Sequence, residues 1–281
     1  MCMVSIVILN FNSTDFLKRC LNSVCGQDYR DFEVIAVDNG SNDGTASFIK
    51  ENYPKIKLIE NKENLGACKA RYQGIDFAQG KWILTLDCDV ILERGFLAKI
   101  ISATEKLSDS VGMLQPKILE NNKKTIYSCG IHLSKLKRFY DMGRSIIDNG
   151  HFNTPKYIFG ACCAAALYRR EMLEKIKEKT GYFDERLFFL VEDVDISLRA
   201  QKMGYKAMYC SQAVCYHSGN SSQTSKKMRQ YLCWRNRRLF LKKHKFNKFH
   251  LFLVALFYDY PRLVFLLLAN SYVRKDLLKH G

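Results

Sequence analysis

Asp87 and Asp89 end the apolar run of "WILTLDCDVIL" (residues 82–92), separated only by Cys88. Two carboxylates at i and i+2 after a strand can both face a crevice if the chain turns there. A hard divalent cation such as Mg2+ or Mn2+ takes oxygen ligands, often one or two carboxylates together with substrate phosphates. A lone Asp-x-Asp also makes a solvated turn, so its surroundings decide. Asp38 opens "DNGSNDG" (38–44), a set of turn-forming residues. Its carboxylate could accept hydrogen bonds from a nucleobase, with Phe11 stacked on the base and Asn10 and Asn12 beside it. Glu192 and Asp193 begin a helix-like stretch, where the helix dipole favours negative charge; the alternative is a general base beside an acceptor hydroxyl. His217, after another apolar run, is by itself as compatible with a structural role as with a ligand's.

The elements that must position these groups alternate. Residues 4–9, 32–37, 56–60 and 82–87 read as short apolar strands. Helix-like stretches cover 15–24, 45–52 and 67–78 between them. Such alternation predicts an α/β fold, a mostly parallel sheet covered by helices on both faces. The polar clusters at 10–12, 38–44 and 87–89 all follow strands, and ligands in open α/β sheets collect beyond the carboxyl ends of strands. Three clusters therefore converge on one crevice. Residues 110–160 are irregular and read as loops and short strands. A small apolar block (158–170) and a helix-like segment to Lys179 follow, then a helix over about 194–203 stopped by Gly204.

At 281 residues the chain can bury one large core with an appendage. Its net charge of +16 is unevenly placed: residues 226–281 hold 14 Lys/Arg against Asp259 and Asp276. That basic tail suits a polyanion, either nucleic acid or an anionic membrane face. The apolar runs 249–258 and 263–269 favour the membrane over nucleic acid. Asp259, Pro261 and Arg262 interrupt them, which reads as an interfacial segment rather than a spanning one. The eleven cysteines are odd in number and lack a Cys-x-x-Cys pair, so free, reduced thiols of a cytosolic protein are expected. The start, "MCMVSIVILN", does not read as a signal peptide.

Five blocks in order, "SIVILNFNS", "VDNGSNDGT", "NLGACKARYQGIDFAQGKWILTLDCDV", "GYFDERLFFLVEDVDISLRAQKMGY" and "VCYHSGNS", are similar to the family 2 glycosyltransferases of GT-A fold. More narrowly they resemble its rhamnosyltransferase-like branch, which builds surface polysaccharides. The resemblance covers about residues 3–240. It implies that Asn10, Phe11 and Asn12 cradle the nucleoside, that Asp38, next to Asn39, recognises the base, and that Asn64, Gly66 and Arg71 lie near the nucleotide. It implies that Asp87 faces the ribose, that Asp89 holds the metal with Asp87 and His217, and that Asp193, beside Glu192, is the catalytic base. The donor so implied is a UDP- or dTDP-sugar and the acceptor a glycan or lipid-linked glycan. An Mg2+- or Mn2+-dependent, inverting transfer follows, on the cytoplasmic face of a membrane. Phe11 stands where the family often has Tyr, and Tyr72 where it often has Asn. The domains expected are a catalytic unit, 1–223, with nucleotide-sugar (1–110) and acceptor (111–223) halves, and a helical membrane-associating extension, 224–281. A sugar-phosphate nucleotidyltransferase is the rival enzyme, but "ILNFNSTDF" lacks the Gly-rich basic phosphate loop it would need.

Overall fold

The structure is a computed structural model that describes residues 3–179, 181–219 and 221–280. Its first half follows the predicted alternation: β1 (Val4–Asn10), α1 (Thr14–Cys25), β2 (Phe32–Asp38), α2 (Thr45–Asn52), β3 (Lys57–Glu60), α3 (Ala67–Phe77) and β4 (Trp82–Asp87). Strands β4, β1, β2 and β3 are parallel neighbours in that order. Alternate residues serve opposite faces. Val4, Ile6 and Ile8 pack with Leu17 and Leu21 of α1, whereas Val7 packs with Ala70 and Ile75 of α3. Both faces are thus buried, as a parallel sheet requires. Helix α3 comes so close that a Cβ on Gly74 would lie 2.3 Å from Val7 Cγ1.

After β4 come β5 (Val90–Leu92), α4 (Phe96–Glu105) and β6 (Val111–Glu120). Strand β6 corrects the reading of 110–160 as irregular: it is ten residues long and buried throughout except at Glu120. Gln115, Pro116 and Lys117 in its middle broke the apolar pattern. Pro116 cannot donate to a ladder, and it lies opposite Cys210, where the partner strand bulges between Cys210 and Val214. Short strands β7 (Ile126–Ser128), β8 (Ile131–Leu133), β9 (Phe139–Asp141) and β10 (Lys156–Ile158) follow, then β11 (Ala165–Arg169), α5 (Arg170–Ile176), α6 (Glu192–Lys202) and β12 (Lys206–His217). The main sheet runs β10-β12-β6-β11-β4-β1-β2-β3, with β11 antiparallel to both its neighbours. This is the α/β architecture expected.

The tail begins with α7 (Lys226–His244), which is packed on the body rather than standing off it. Leu232, Trp234, Asn236, Arg237, Phe240 and His244 are buried. Asp195 of α6 accepts from His244 Nε2 (2.8 Å), Lys243 Nζ (3.0 Å) and Arg199 Nε (2.9 Å), and the His244 hydrogen bond with the Arg199 and Lys243 charges holds its carboxyl well below the usual range against the push of burial. Lys243 and Arg237 of the tail are thus committed to internal ion pairs. The next helix, α8 (Lys248–Ala269), runs 22 residues without a break and has mean hydropathy 1.8, so it is long and apolar enough to cross a membrane. This corrects the expected interruption. Asp259 is answered by Arg237 Nε at 2.7 Å, the chain passes 255–259 in a π-type turn, and Pro261 falls where a new run of α-helix begins. Phe252, Phe257, Phe265 and Leu268 of α8 are exposed, and α9 (Ser271–His280) closes the chain. The ten described cysteines are all free; Cys2 lies outside the described residues.

Candidate active site

Strands β4, β1 and β2 end together, with Leu9 opposite Asp87 and Asn10 opposite Asp38. The chain turns at Cys88, and β5 then pairs with β12 so that His217 lies opposite Val90. His217 Nε2 is thereby 3.2 Å from Asp89 Oδ1 and 4.0 Å from Asp87 Oδ2. The three side chains present ligand atoms that all lie within 4.8 Å of one another. Asp89 Oδ1 is buried with no hydrogen-bond partner. Its other oxygen accepts from the Ser221 amide at 3.3 Å. Burial pushes the Asp89 carboxyl up, but His217 and the Ser221 amide offset this and hold it below the usual range. Two carboxylates and an imidazole facing one another, with an orphaned oxygen among them, fit an Mg2+- or Mn2+-type cation.

Arg71, on α3, is 3% exposed and joins the two sides of the crevice. Its Nη2 donates to Asp87 Oδ1 and its Nη1 to Glu192 Oε1, both at 2.6 Å. The planar guanidinium can meet both carboxylates at once, as an ammonium cannot. Asp87 is thus shared between Arg71 and the acidic trio, and Glu192 is a partner of Arg71.

The crevice is a cavity of about 470 Å3. Phe11, Asn39, Asn64, Gly66, Arg71, Asp87, Asp89, Glu192, Asp193 and His217 are on its wall, from opposite ends of the sequence. Asn39 Nδ2 donates to Asn64 Oδ1 (2.9 Å), and Asn64 Oδ1 also accepts from the Gly66 amide (2.9 Å), so this part of the wall is internally tied. Asn10, Asn12 and Asp38 are not on the wall. Asn10 Nδ2 donates to Thr45 Oγ1 at 3.1 Å, and Asn12 Oδ1 accepts from the Asn42 amide at 2.8 Å. Asp38 accepts from the Ser41 hydroxyl, and burial still raises its carboxyl above the ordinary value. Asn10 and Asn12 thus tie the end of β1 to the loop after β2, and Asp38 is tied to Ser41 within that loop.

Among the described residues five carboxylates reach the cavity, and four have a basic group near: Asp87 and Glu192 share Arg71, Asp89 has His217, and Asp141 lies 3.9 Å from Arg144. Asp193 has no ion pair among the described residues. Its Oδ1 accepts only from the neighbouring Val194 amide, at 2.9 Å. Burial, then the charges of Glu192 and Asp141, push its carboxyl well above the ordinary aspartate value. A half-buried, unpaired carboxylate of raised proton affinity is suited to accept a proton.

Sequence reasoning missed part of the wall. The Tyr127 ring packs at a tilt against His217 (ring centres 4.0 Å apart), and the Arg144 guanidinium lies 3.7 Å from the centre of the Tyr127 ring. Both come from the segment read as irregular. Ser221, Ser222 and Arg229 line the cavity from the tail side; Arg229 was hidden among the surface cations of the basic helix.

The sheet, the acidic strand end and the crevice define a GT-A-like fold. Residues 5–177 match the glycosyl transferase family 2 domain, and the chain belongs to that family. It is 33% identical over 178 residues to an uncharacterized glycosyltransferase, alr2836, of Nostoc sp., covering 62% of this chain and 52% of that protein. It is 28% identical over 223 residues to the amylovoran biosynthesis glycosyltransferase AmsB of Erwinia amylovora, covering 76% of this chain and 69% of that one. Among solved structures, GalNAc-T7 with UDP, GalNAc and Mn2+ superposes with a TM-score of 0.65 at 16% identity, over 86% of this chain and 48% of that one. The match thus spans about half the length of the Nostoc relative.

Replacing Arg71 tests the clamp. Arg71→Met leaves Glu192 buried without its counter-charge, and urea unfolding at pH 7 is expected to show a loss of about 3 kcal/mol. Arg71→Lys keeps the charge but cannot span both partners, so it should recover only part. A loss in Arg71→Met below about 1 kcal/mol, the size of a surface pair, would contradict the clamp.

Proposed function

We propose that this protein is a metal-dependent, inverting glycosyltransferase of the rhamnosyltransferase-like branch. It moves a hexosyl or deoxyhexosyl group from a UDP- or dTDP-sugar to a hydroxyl of a glycan or lipid-linked glycan in surface polysaccharide synthesis. The observation that carries this reading is the Asp87–Asp89–His217 trio facing one cavity with the unpaired Asp193. The similarity to AmsB, an amylovoran biosynthesis glycosyltransferase, supports the polysaccharide role. The UDP and Mn2+ bound to GalNAc-T7 support the donor class and the metal.

In this reading Phe11 stacks on the base, and the tied Asn39–Asn64–Gly66 wall shapes the nucleoside pocket. Asn10 and Asn12 tie the two loops of the nucleoside pocket together, and Asp38 recognises the base. Asp87, Asp89 and His217 hold the cation. A bound divalent ion supplies positive charge to the departing nucleoside diphosphate. Asp193 takes the proton from the attacking hydroxyl as the new glycosidic bond forms and the bond to the diphosphate breaks. Glu192, tied to Arg71, raises the proton affinity of Asp193 by its charge. The acceptor approaches past Tyr127, Asp141 and Arg144.

The exposed apolar residues of α8, with the basic tail around them, support attachment of the protein to the cytoplasmic face of an anionic membrane. The catalytic unit and the membrane-associating extension then meet within the tail, α7 belonging with the body and α8 with the membrane.

Release of nucleoside diphosphate from a panel of nucleotide sugars, with Mn2+ or Mg2+ and with chelator, tests the chemistry. Metal-dependent release from one donor is expected, with a loss of about a hundredfold or more in Asp89→Ala. Release of pyrophosphate instead would mark a nucleotidyltransferase. For the membrane, Phe252→Glu with Phe265→Glu should abolish co-sedimentation with phosphatidylglycerol vesicles while leaving donor turnover unchanged. Undiminished vesicle binding by the double variant would sink that part of the proposal.

A further inference from the structure

The segment just before the acidic pair has an unusual backbone. Phe188, Leu190 and Val191 all adopt positive φ, at 62°, 71° and 74°. None is glycine, and for a β-branched valine this region is a genuine outlier, sustained only when the surroundings impose it. Val191 is the last residue before α6, so its φ sets the direction in which Glu192 and Asp193 enter the helix.

What imposes the turn comes from the tail. Asn236, in the middle of α7, is fully buried. Its Nδ2 donates to the carbonyls of Leu187, Phe189 and Leu190, each at 2.8 Å. An amide has two hydrogens, so three carbonyls converging on one nitrogen are gathered by it rather than merely satisfied. Asn236 Oδ1 in turn accepts from Arg235 Nε at 3.0 Å, while Arg235 Nη2 donates to the Arg186 and Leu187 carbonyls at 3.1 and 3.0 Å. Phe240, one helical turn on, packs with Val191 and Val194. On the far side the Cys68 amide donates to the Phe188 carbonyl at 3.2 Å, and the Phe188 ring lies where a Cβ on Gly66 would come within 2.5 Å of it. The turn is therefore clamped between α3 and α7.

We propose that Asn236, seconded by Arg235, is a positioning residue for the acceptor-side carboxylates: it holds the 188–191 turn in the conformation that aims Asp193 into the cavity. This rests on the reading of Asp193 as the base. It also makes the tail helix a part of the catalytic machinery, through an asparagine that touches no substrate.

The test uses the full chain, with Asn236→Asp, an isostere that lacks the amide donors, and Arg235→Ala, which removes donors from a half-buried side chain without opening the core. Turnover is measured on the nucleotide sugar selected by the donor panel, with water as acceptor. Asn236→Asp should lower kcat by about a hundredfold, the size of a small misplacement of a reacting group, with the nucleoside diphosphate Kd unchanged. Arg235→Ala should lower kcat less, again at constant Kd. In an Asp193→Asn background neither change should cost anything more, because the group being aimed is gone. Additive losses, or unchanged kcat in both variants, would overturn the proposal while leaving Asp193 as the base. Full kcat in Asp193→Asn alone would remove the base, and the proposal with it. A readout independent of activity is hydrogen exchange: the amides of 188–194 should lose protection in Arg235→Ala, and more so in Asn236→Asp, while β1 and β4 keep theirs. Unchanged exchange there overturns the proposal whatever the kinetics.

Discussion

The Arg71 guanidinium, buried between Asp87 and Glu192, is the interaction on which the site depends. Among the described residues it is the one cation that touches both the end of β4, where Asp87 and Asp89 face His217, and the start of α6, where Glu192 and Asp193 sit. These elements are separated by more than 100 residues of chain, and β4 and α6 share no ladder. A charge buried at this depth is sustained only by its partners. Each of the three side chains therefore fixes the position of the other two, and the distance across the crevice follows from the span of one guanidinium.

That clamp also sorts the carboxylates. Asp87 and Glu192 are paired with the same cation, Asp89 faces His217, and Asp141 lies near Arg144. Asp193 is left with a single backbone amide and two neighbouring negative charges. One acidic residue in five is made ready to take a proton, and it is made so by what its neighbours are paired with. At the ends of β1 and β2, Asn10 and Asn12 bind the two loops to each other.

Much of this was legible in the chain. A parallel sheet buried on both faces writes itself as short apolar runs, and polar residues after "VIL", "IAV" and "LTL" mark the ends that converge. The Asp87–Asp89 pair could be singled out on that ground alone. What could not be read are contacts made across the sequence. Strand β6 was hidden because Pro116 and Lys117 interrupt its pattern, although Pro116 is accommodated by a bulge in β12 and Lys117 is satisfied by Asp148 and Asn153. Tyr127, Asp141 and Arg144 vanished with it. Asn236 carries no signal in a basic helix, because its role lies in carbonyls some 46 to 49 residues away. The break expected at Asp259–Arg262 failed for the same reason: Arg237 answers Asp259 from another helix.

On the proposed chemistry Asp193 acts as a base from the side opposite the departing diphosphate, so that the sugar is transferred in one displacement. The measurement that tests it most directly is the anomeric configuration of the first-formed product, followed by proton NMR from the start of turnover of an α-linked or β-linked donor. The account predicts an inverted anomer from the first time point. A product that retains the donor's configuration would require a second displacement or front-side attack and would contradict it.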